Sequence, residues 1–281
     1  MANRKQRAAI ARETVEILES GSYRVGSMDV SIRDALARSK AGSRLYTPSM
    51  VNDLIEQHRG VDSSETLSVE VRNETTFAAA RRLSDRGSTD VLCLNFASAK
   101  SPGGGFLSGS QAQEEALARA SGLYTTLKQH MEYYDFNRAL GTSLYSDHAI
   151  YSPHVPVFRA DDDSLLDVPY EVAIVTSPAV NAGAVLKNEP DRVTEIEPTM
   201  RHRIRSVLAI AARHQHQRTV LGAWGCGVFQ NDPADVALGF AEELKVFSRC
   251  FEHVVFAVLD FAADTPTFGA FHERFAGPVN P

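Results

Sequence analysis

From Thr66 onward, short runs rich in Val, Ile and Leu alternate with helix-patterned segments, and this alternation narrows the choice of fold more than any other feature. TLSVEV (66–71), DVLCLNFA (90–97), YEVAIVTSP (170–178), RTVLGAW (218–224) and HVVFAVLD (253–260) read as strands. HAIYSP (148–153) and VPVF (155–158) are also strand-like, and the acidic turn Asp161 to Asp163 follows them. Helices are expected from Glu74 to Ser84 behind an Asn73 cap, through SQAQEEALARASGLYTTLKQH (110–130), and from Asp191 to His214. Two more are expected from Pro233 to Phe247 and after Pro266. Apolar strands alternating with helices imply a mostly parallel sheet covered on both faces, an α/β fold. In such sheets ligands sit beyond the carboxyl ends of the strands.

The segment before this pattern starts with a long amphipathic helix, Arg4 to Ser20. Short elements follow around GSYRV and MDVSI, then a Ser/Pro/Gly-marked stretch. We read residues 1–65 as an accessory extension and residues 66–281 as the main domain. With 281 residues and 43% of them hydrophobic, the chain has ample material for a core. The amino terminus lacks the pattern of a signal peptide and no run of about 18 apolar residues occurs, so a cytoplasmic protein without a membrane partner is expected. Cys93, Cys226 and Cys250 have no metal-type spacing and suggest neither disulfides nor a zinc site. A net charge of −6 argues against a protein that coats or reads DNA. An anionic ligand would have to be held by backbone amides.

Two segments could do this. SPGGGFLSGSQAQEEAL (101–117) and GAWGCGVFQNDPADVA (222–237) each join a strand to a helix through glycines. Free N–H groups at such a junction, helped by the helix dipole, bind phosphate without lysine. Neither loop carries the GK[ST] of a nucleotide-triphosphate loop, and no acid follows the first at dinucleotide-fold spacing. In the second, Asn231 or Asp232 is the expected helix cap, with Pro233 at the first helical position.

Gln113, Glu114 and Glu115 open the helix after the first loop, where acids also stabilise the helix dipole. Taken jointly, three glycines (103–105), seven intervening residues and then Gln-Glu-Glu resemble the signature of poly(ADP-ribose) glycohydrolases of the bacterial type. GAWGCGVFQNDP likewise resembles the diphosphate loop of macrodomains, the ADP-ribose-binding fold on which those enzymes are built. The resemblance implies a macrodomain-like three-layer α/β/α fold with a mixed, mostly parallel sheet and an N-terminal helical extension. It implies hydrolysis of ribose–ribose bonds in poly(ADP-ribose), mainly from chain ends, with poly(ADP-ribosyl)ated proteins as partners and ADP-ribose as product. The resemblance implies Glu115 as the catalytic acid/base and Glu114 as its neighbour holding the adjoining ribose.

Such a cleavage passes through an oxocarbenium-like transition state, which needs an acid for the departing oxygen and a base for water. Neighbouring helical residues point about 100° apart, so one glutamate with two successive jobs is more natural than an opposed pair. No metal or other cofactor is expected. Gly103, Gly104 and Gly105 are expected against ribose and diphosphate, with Gln113 beside them. Gly225, Cys226, Gly227 and Val228 should wrap the phosphates, and Phe229 should press on the terminal ribose. Asn95 is a candidate for a ribose hydroxyl or equally for a cap on the loop backbone, and Ser177, Pro178 and Asn181 for the border of the site or for an ordinary turn. His214 and His216, near a helix end, are expected to interact with the dipole rather than a metal. Two rivals stand beside this reading: a module that binds ADP-ribose without cutting it, and a hydrolase of another ADP-ribose linkage.

Overall fold

Along the sheet strands successive side chains point to opposite faces, and both faces are apolar. Leu92, Leu94, Val175 and Phe256 enter one core cluster, while Val91, Cys93, Ile174 and Val255 enter another on the far side. Two buried faces require two layers of helices. The computed structural model describes residues 2–57, 67–85 and 90–275. Its first part runs α1 (Arg4–Ser20), β1 (Ser22–Val25), β2 (Met28–Ser31), α2 (Arg33–Gly42), β3 (Arg44–Tyr46) and α3 (Pro48–Gln57). Then come β4 (Ser68–Arg72), α4 (Thr76–Asp85), β5 (Val91–Phe96), α5 (Gln113–Ala120), α6 (Leu123–Leu127) and α7 (Met131–Leu140). The chain continues with β6 (Ala149–Arg159), β7 (Leu165–Ser177), α8 (Ala182–Asn188), α9 (Ile196–Arg213) and β8 (Arg218–Leu221). It closes with α10 (Pro233–Val246), β9 (His253–Ala257) and α11 (Pro266–Phe275).

Seven strands form one sheet in the order β3-β6-β7-β5-β8-β9-β4. The five strands from β7 to β4 run parallel, and β6 and β3 join antiparallel at one edge. The expected three-layer, mixed and mostly parallel architecture is therefore present. HAIYSP and VPVF prove to be one strand, β6, with register shifts, paired to β7 around the acidic turn. The boundary expected between residues 65 and 66 lies outside the described residues. On its amino-terminal side, β3 pairs with β6 and α3 packs against α9. No helix among the described residues is long and apolar enough to cross a membrane.

Three local expectations change. Helix α4 is capped by Thr75, whose Oγ1 accepts from the Ala78 N–H at 3.0 Å. Asn73, the expected cap, instead exchanges two 3.0 Å hydrogen bonds with the backbone of Asp260, tying the end of β4 to the chain after β9. The helix expected over 110–130 is broken at Ser121 and Gly122, because Ser121 bridges to Val157 and a Cβ at Gly122 would run into Leu36 and Pro156.

The third change concerns the histidines. His214 stacks on Tyr151 with ring centroids 3.6 Å apart and bonds Tyr46 Oη through Nε2 at 2.8 Å. His216 bonds Tyr151 Oη and Asp90, both at 2.8 Å. Burial lowers both pKa values, that of His214 to about 4. They are neutral members of a packed network, not cations on a helix dipole. Among the described residues no cluster of three or more His, Cys, Asp or Glu could hold a metal ion.

Candidate active site

The carboxyl ends of β5, β7 and β8 point to one edge of the sheet, and both glycine loops leave from it. They are not equivalent. In the first loop Gly103 and Gly104 have φ of +70° and +57°, which L-residues with side chains rarely adopt. A Cβ at Gly104 would collide with Glu115 Oε1 and lie 3.2 Å from Glu114 Oε2. The Gly105 N–H donates to Glu115 Oε1 at 2.9 Å, and the Gly104 N–H turns back to Ser101 O. The close approach that the triple glycine permits is thus made by the protein's own glutamates. Of the amides expected against ribose and diphosphate, those of Gly104 and Gly105 are already taken.

The second loop is open. Among the described residues, no protein acceptor takes the N–H groups of Gly225, Gly227, Val228 or Phe229. Gly225 has φ of +78°, and a Cβ there would strike Asn231 and Ala179. Buried Asn231 ties the loop down by donating from Nδ2 to Val180 O at 2.7 Å and Gly225 O at 3.1 Å. Helix α10 begins directly after, with Asp232 rather than Asn231 as its cap: Asp232 Oδ1 accepts from the Ala234 and Asp235 N–H groups. Four unpaired amides next to a helix amino terminus form an anion seat. Val228 at the loop tip is 87% exposed, Phe229 is half-buried, and burial pushes the Cys226 thiol up to about 12, so it stays protonated.

Gln113 fastens α5 to the end of β5. Its Oε1 accepts from the Phe96 N–H at 2.9 Å, and its Nε2 donates to Leu94 O at 2.7 Å and Thr76 Oγ1 at 3.1 Å. Both amide hydrogens are used, so Gln113 acts as a clamp rather than as a free ligand donor. The clamp sets Glu114 beneath the loop, where it is fully buried. Its Oε2 accepts from the Ser98 N–H at 2.7 Å and its Oε1 from Asn95 Nδ2 at 3.2 Å. Asn95 also donates to Thr176 Oγ1, while its buried Oδ1 has no partner among the described residues. Glu115, one helical step on, is half-buried and holds the Gly105 N–H through one oxygen. From the other side α1 braces the loop: Arg4 Nε donates to Ser108 O at 3.1 Å and Arg7 Nε to Gly109 O at 2.9 Å.

Burial raises the Glu114 pKa to about 8, outweighing the N–H donors that favour its anion. Helix dipole and burial oppose each other at this position, and burial prevails. Relative to its ordinary 4.5, Glu114 ionises later in the folded protein than in the unfolded chain. Stability is therefore whole below pH 4.5 and declines as pH rises towards 8, by an amount on the order of 3–5 kcal/mol. Glu114→Gln, which cannot ionise, is expected to gain in melting temperature over the parent across that window. A difference that stays constant from pH 4.5 to 8 in thermal unfolding would contradict a neutral buried acid.

A cavity of about 600 Å³ adjoins the second loop at Cys226 and Gly227 and α5 at Gln113 and Ala116, with Phe96 and Phe261 in its wall. Phe261 is absent from the sequence expectations, although a phenylalanine just beyond a strand's carboxyl end is a signal for such a wall. Ser177, Pro178 and Asn181 serve the frame: Pro178 O accepts from Arg203, and Asn181 caps α8.

Fold and site together define an α/β protein that can seat an anionic ligand on backbone amides and act on it with paired carboxyls of unlike environment. Residues 11–160 match the model of the family described as microbial-type PARG, catalytic domain. This chain is 50% identical to poly(ADP-ribose) glycohydrolase from Thermomonospora curvata, with a TM-score of 0.92 over 97% of this chain and 100% of that one. The same protein bound to the inhibitor ADP-HPD matches with a TM-score of 0.90 at 50% identity, again over 97% and 100%. The glycohydrolase from Deinococcus radiodurans in complex with ADP-ribose is 49% identical, with a TM-score of 0.81 over 90% of this chain and 98% of that one. No curated protein sequence matches. The chain belongs to the microbial-type poly(ADP-ribose) glycohydrolase family.

Proposed function

We propose that this protein hydrolyses the ribose–ribose O-glycosidic bonds of poly(ADP-ribose) and releases ADP-ribose, chiefly from chain ends. The observation that carries this is the pairing of one loop whose amides are free with another whose bare glycine backbone lies against two adjacent glutamates. The free amides of Gly225, Gly227, Val228 and Phe229 suit a diphosphate, and the 600 Å³ cavity has room for a nucleoside. The Deinococcus radiodurans relative is a complex with ADP-ribose, which supports that ligand here.

Glu115 is the acid/base. Among the described residues only one of its oxygens is engaged, whereas both oxygens of Glu114 hold N–H donors inside the protein. Glu115 gives its proton to the glycosidic oxygen as the C–O bond breaks, leaving an oxocarbenium ion and a free ribose hydroxyl. Its carboxylate then takes a proton from the water whose oxygen bonds to the anomeric carbon, which restores the acid. Glu114 and Asn95, whose buried Oδ1 is unpartnered among the described residues, hold the ribose hydroxyls beside that carbon. The polymer reaches the site on poly(ADP-ribosyl)ated proteins. Three free cysteines are consistent with a reducing, cytoplasmic setting.

Incubation with labelled poly(ADP-ribose) should release ADP-ribose, while mono-ADP-ribosylated protein should keep its label. Release from the mono-modified protein alone would assign the enzyme to a different linkage. Tight binding of ADP-ribose with neither substrate cut would make it a reader.

A further inference from the structure

Tyr145 has φ of +58°, a left-handed backbone that is unfavourable for a residue with a large side chain. The fold invests heavily in holding it there. Arg203, fully buried in α9, donates from Nη1 to Leu144 O at 2.9 Å and Pro178 O at 3.1 Å, and from Nη2 to Tyr145 O at 3.4 Å. Its Nε and Nη2 also hold Asp147 Oδ1, at 3.1 and 3.0 Å. On the next residue, Asn137 Oδ1 accepts from both the Ser146 N–H and Ser146 Oγ. Every atom that fixes Tyr145 is backbone or belongs to a neighbour. Its own hydroxyl has no hydrogen-bond partner among the described residues, and its ring is only half-buried.

The position of that ring gives the reason. Strand β6 is antiparallel to β7, and Ile150 near its start is level with Thr176 near the end of β7. Residues 142–148 therefore lie at the sheet edge from which both glycine loops leave. The Tyr145 ring meets Phe229 of the open loop, centroids 6.1 Å apart and planes inclined by 44°. Too little space separates the two rings for a sugar to enter, so Tyr145 acts as a backing for Phe229.

Resting on the glycohydrolase reading of the site, we propose that Tyr145 is a positioning residue for the ribose subsite. It holds Phe229 against the sugar of an ADP-ribose unit, and the strained backbone is retained for that purpose. Glycine and asparagine accept the left-handed conformation, so Tyr145→Gly and Tyr145→Asn are expected to unfold at the same temperature as the parent or higher. Both should bind ADP-ribose about five-fold more weakly in calorimetry, the scale of a lost aromatic pair. KM for the polymer should rise with kcat little changed, and Tyr145→Phe should behave as the parent. In a Phe229→Ala background, Tyr145→Gly should weaken binding no further, because its effect passes through Phe229.

The proposal is overturned if both variants keep the parent's affinity, if the double variant loses affinity additively, or if both variants melt well below the parent. A parent protein that binds no ADP-ribose would overturn the functional reading itself, and this proposal with it.

Discussion

Glu115→Gln should lower kcat for polymer hydrolysis by about 10²- to 10⁴-fold, the usual contribution of a positioned acid/base. ADP-ribose affinity should stay within about two-fold, because the side chain makes its difference in the transition state. Glutamine keeps a carbonyl oxygen for the Gly105 N–H, so the 2.9 Å hydrogen bond and the shape of the loop survive. What it lacks is a proton that can be given up and recovered. The fully buried, N–H-ligated Glu114 cannot take over the role, since its oxygens are held by Ser98 and Asn95. Calorimetry and a polymer-release assay on the same preparation check both halves. Hydrolysis at the parent rate would move the chemistry to another group.

Gly104→Ala should be nearly as damaging although it removes no reactive atom. The new methyl group would occupy the place of Glu115 Oε1 and crowd Glu114 Oε2 at 3.2 Å. The carboxyls or the loop must then shift, and a displacement near 1 Å at a reacting group can cost about 10²-fold in rate. Strain at φ +57° adds roughly 1 kcal/mol of lost stability. Gly26→Ala separates the two effects. It carries the same kind of positive φ, +58°, with nothing within 4 Å of its Cβ. It should lose similar stability and keep full activity. Equal activity in the two alanine variants, compared by rate and melting temperature, would show that the glycines do not seat the glutamates.

Much of this site is legible in the amino-acid sequence. Adjacent glutamates after a triple glycine, and a second glycine loop running into Asp232 and Pro233, are local patterns with local causes. Turn glycines, a cap and a first-turn proline act within a few residues of one another. The use made of each amide is not legible there. Gly103, Gly104 and Gly105 read as ligand contacts, and Gln113 as one more, yet the hydrogen bonds of Gly104, Gly105 and Gln113 close on Ser101, Glu115, Phe96 and Leu94. Asn73 reads as a helix cap, but its partner is Asp260, 187 residues away. Arg203 and Tyr145 give no signal, since a buried arginine and a left-handed tyrosine are set by contacts between distant segments.

The sequence by itself determined the alternation of strands and helices after residue 66, the two strand-end loops and the pair of acids, because periodicity, turn residues and caps are short-range consequences of side-chain chemistry. Only the tertiary structure decided which loop is open to a ligand and which glutamate is buried. Whether an amide is free, or a carboxyl loses its water, depends on what the rest of the chain packs against it.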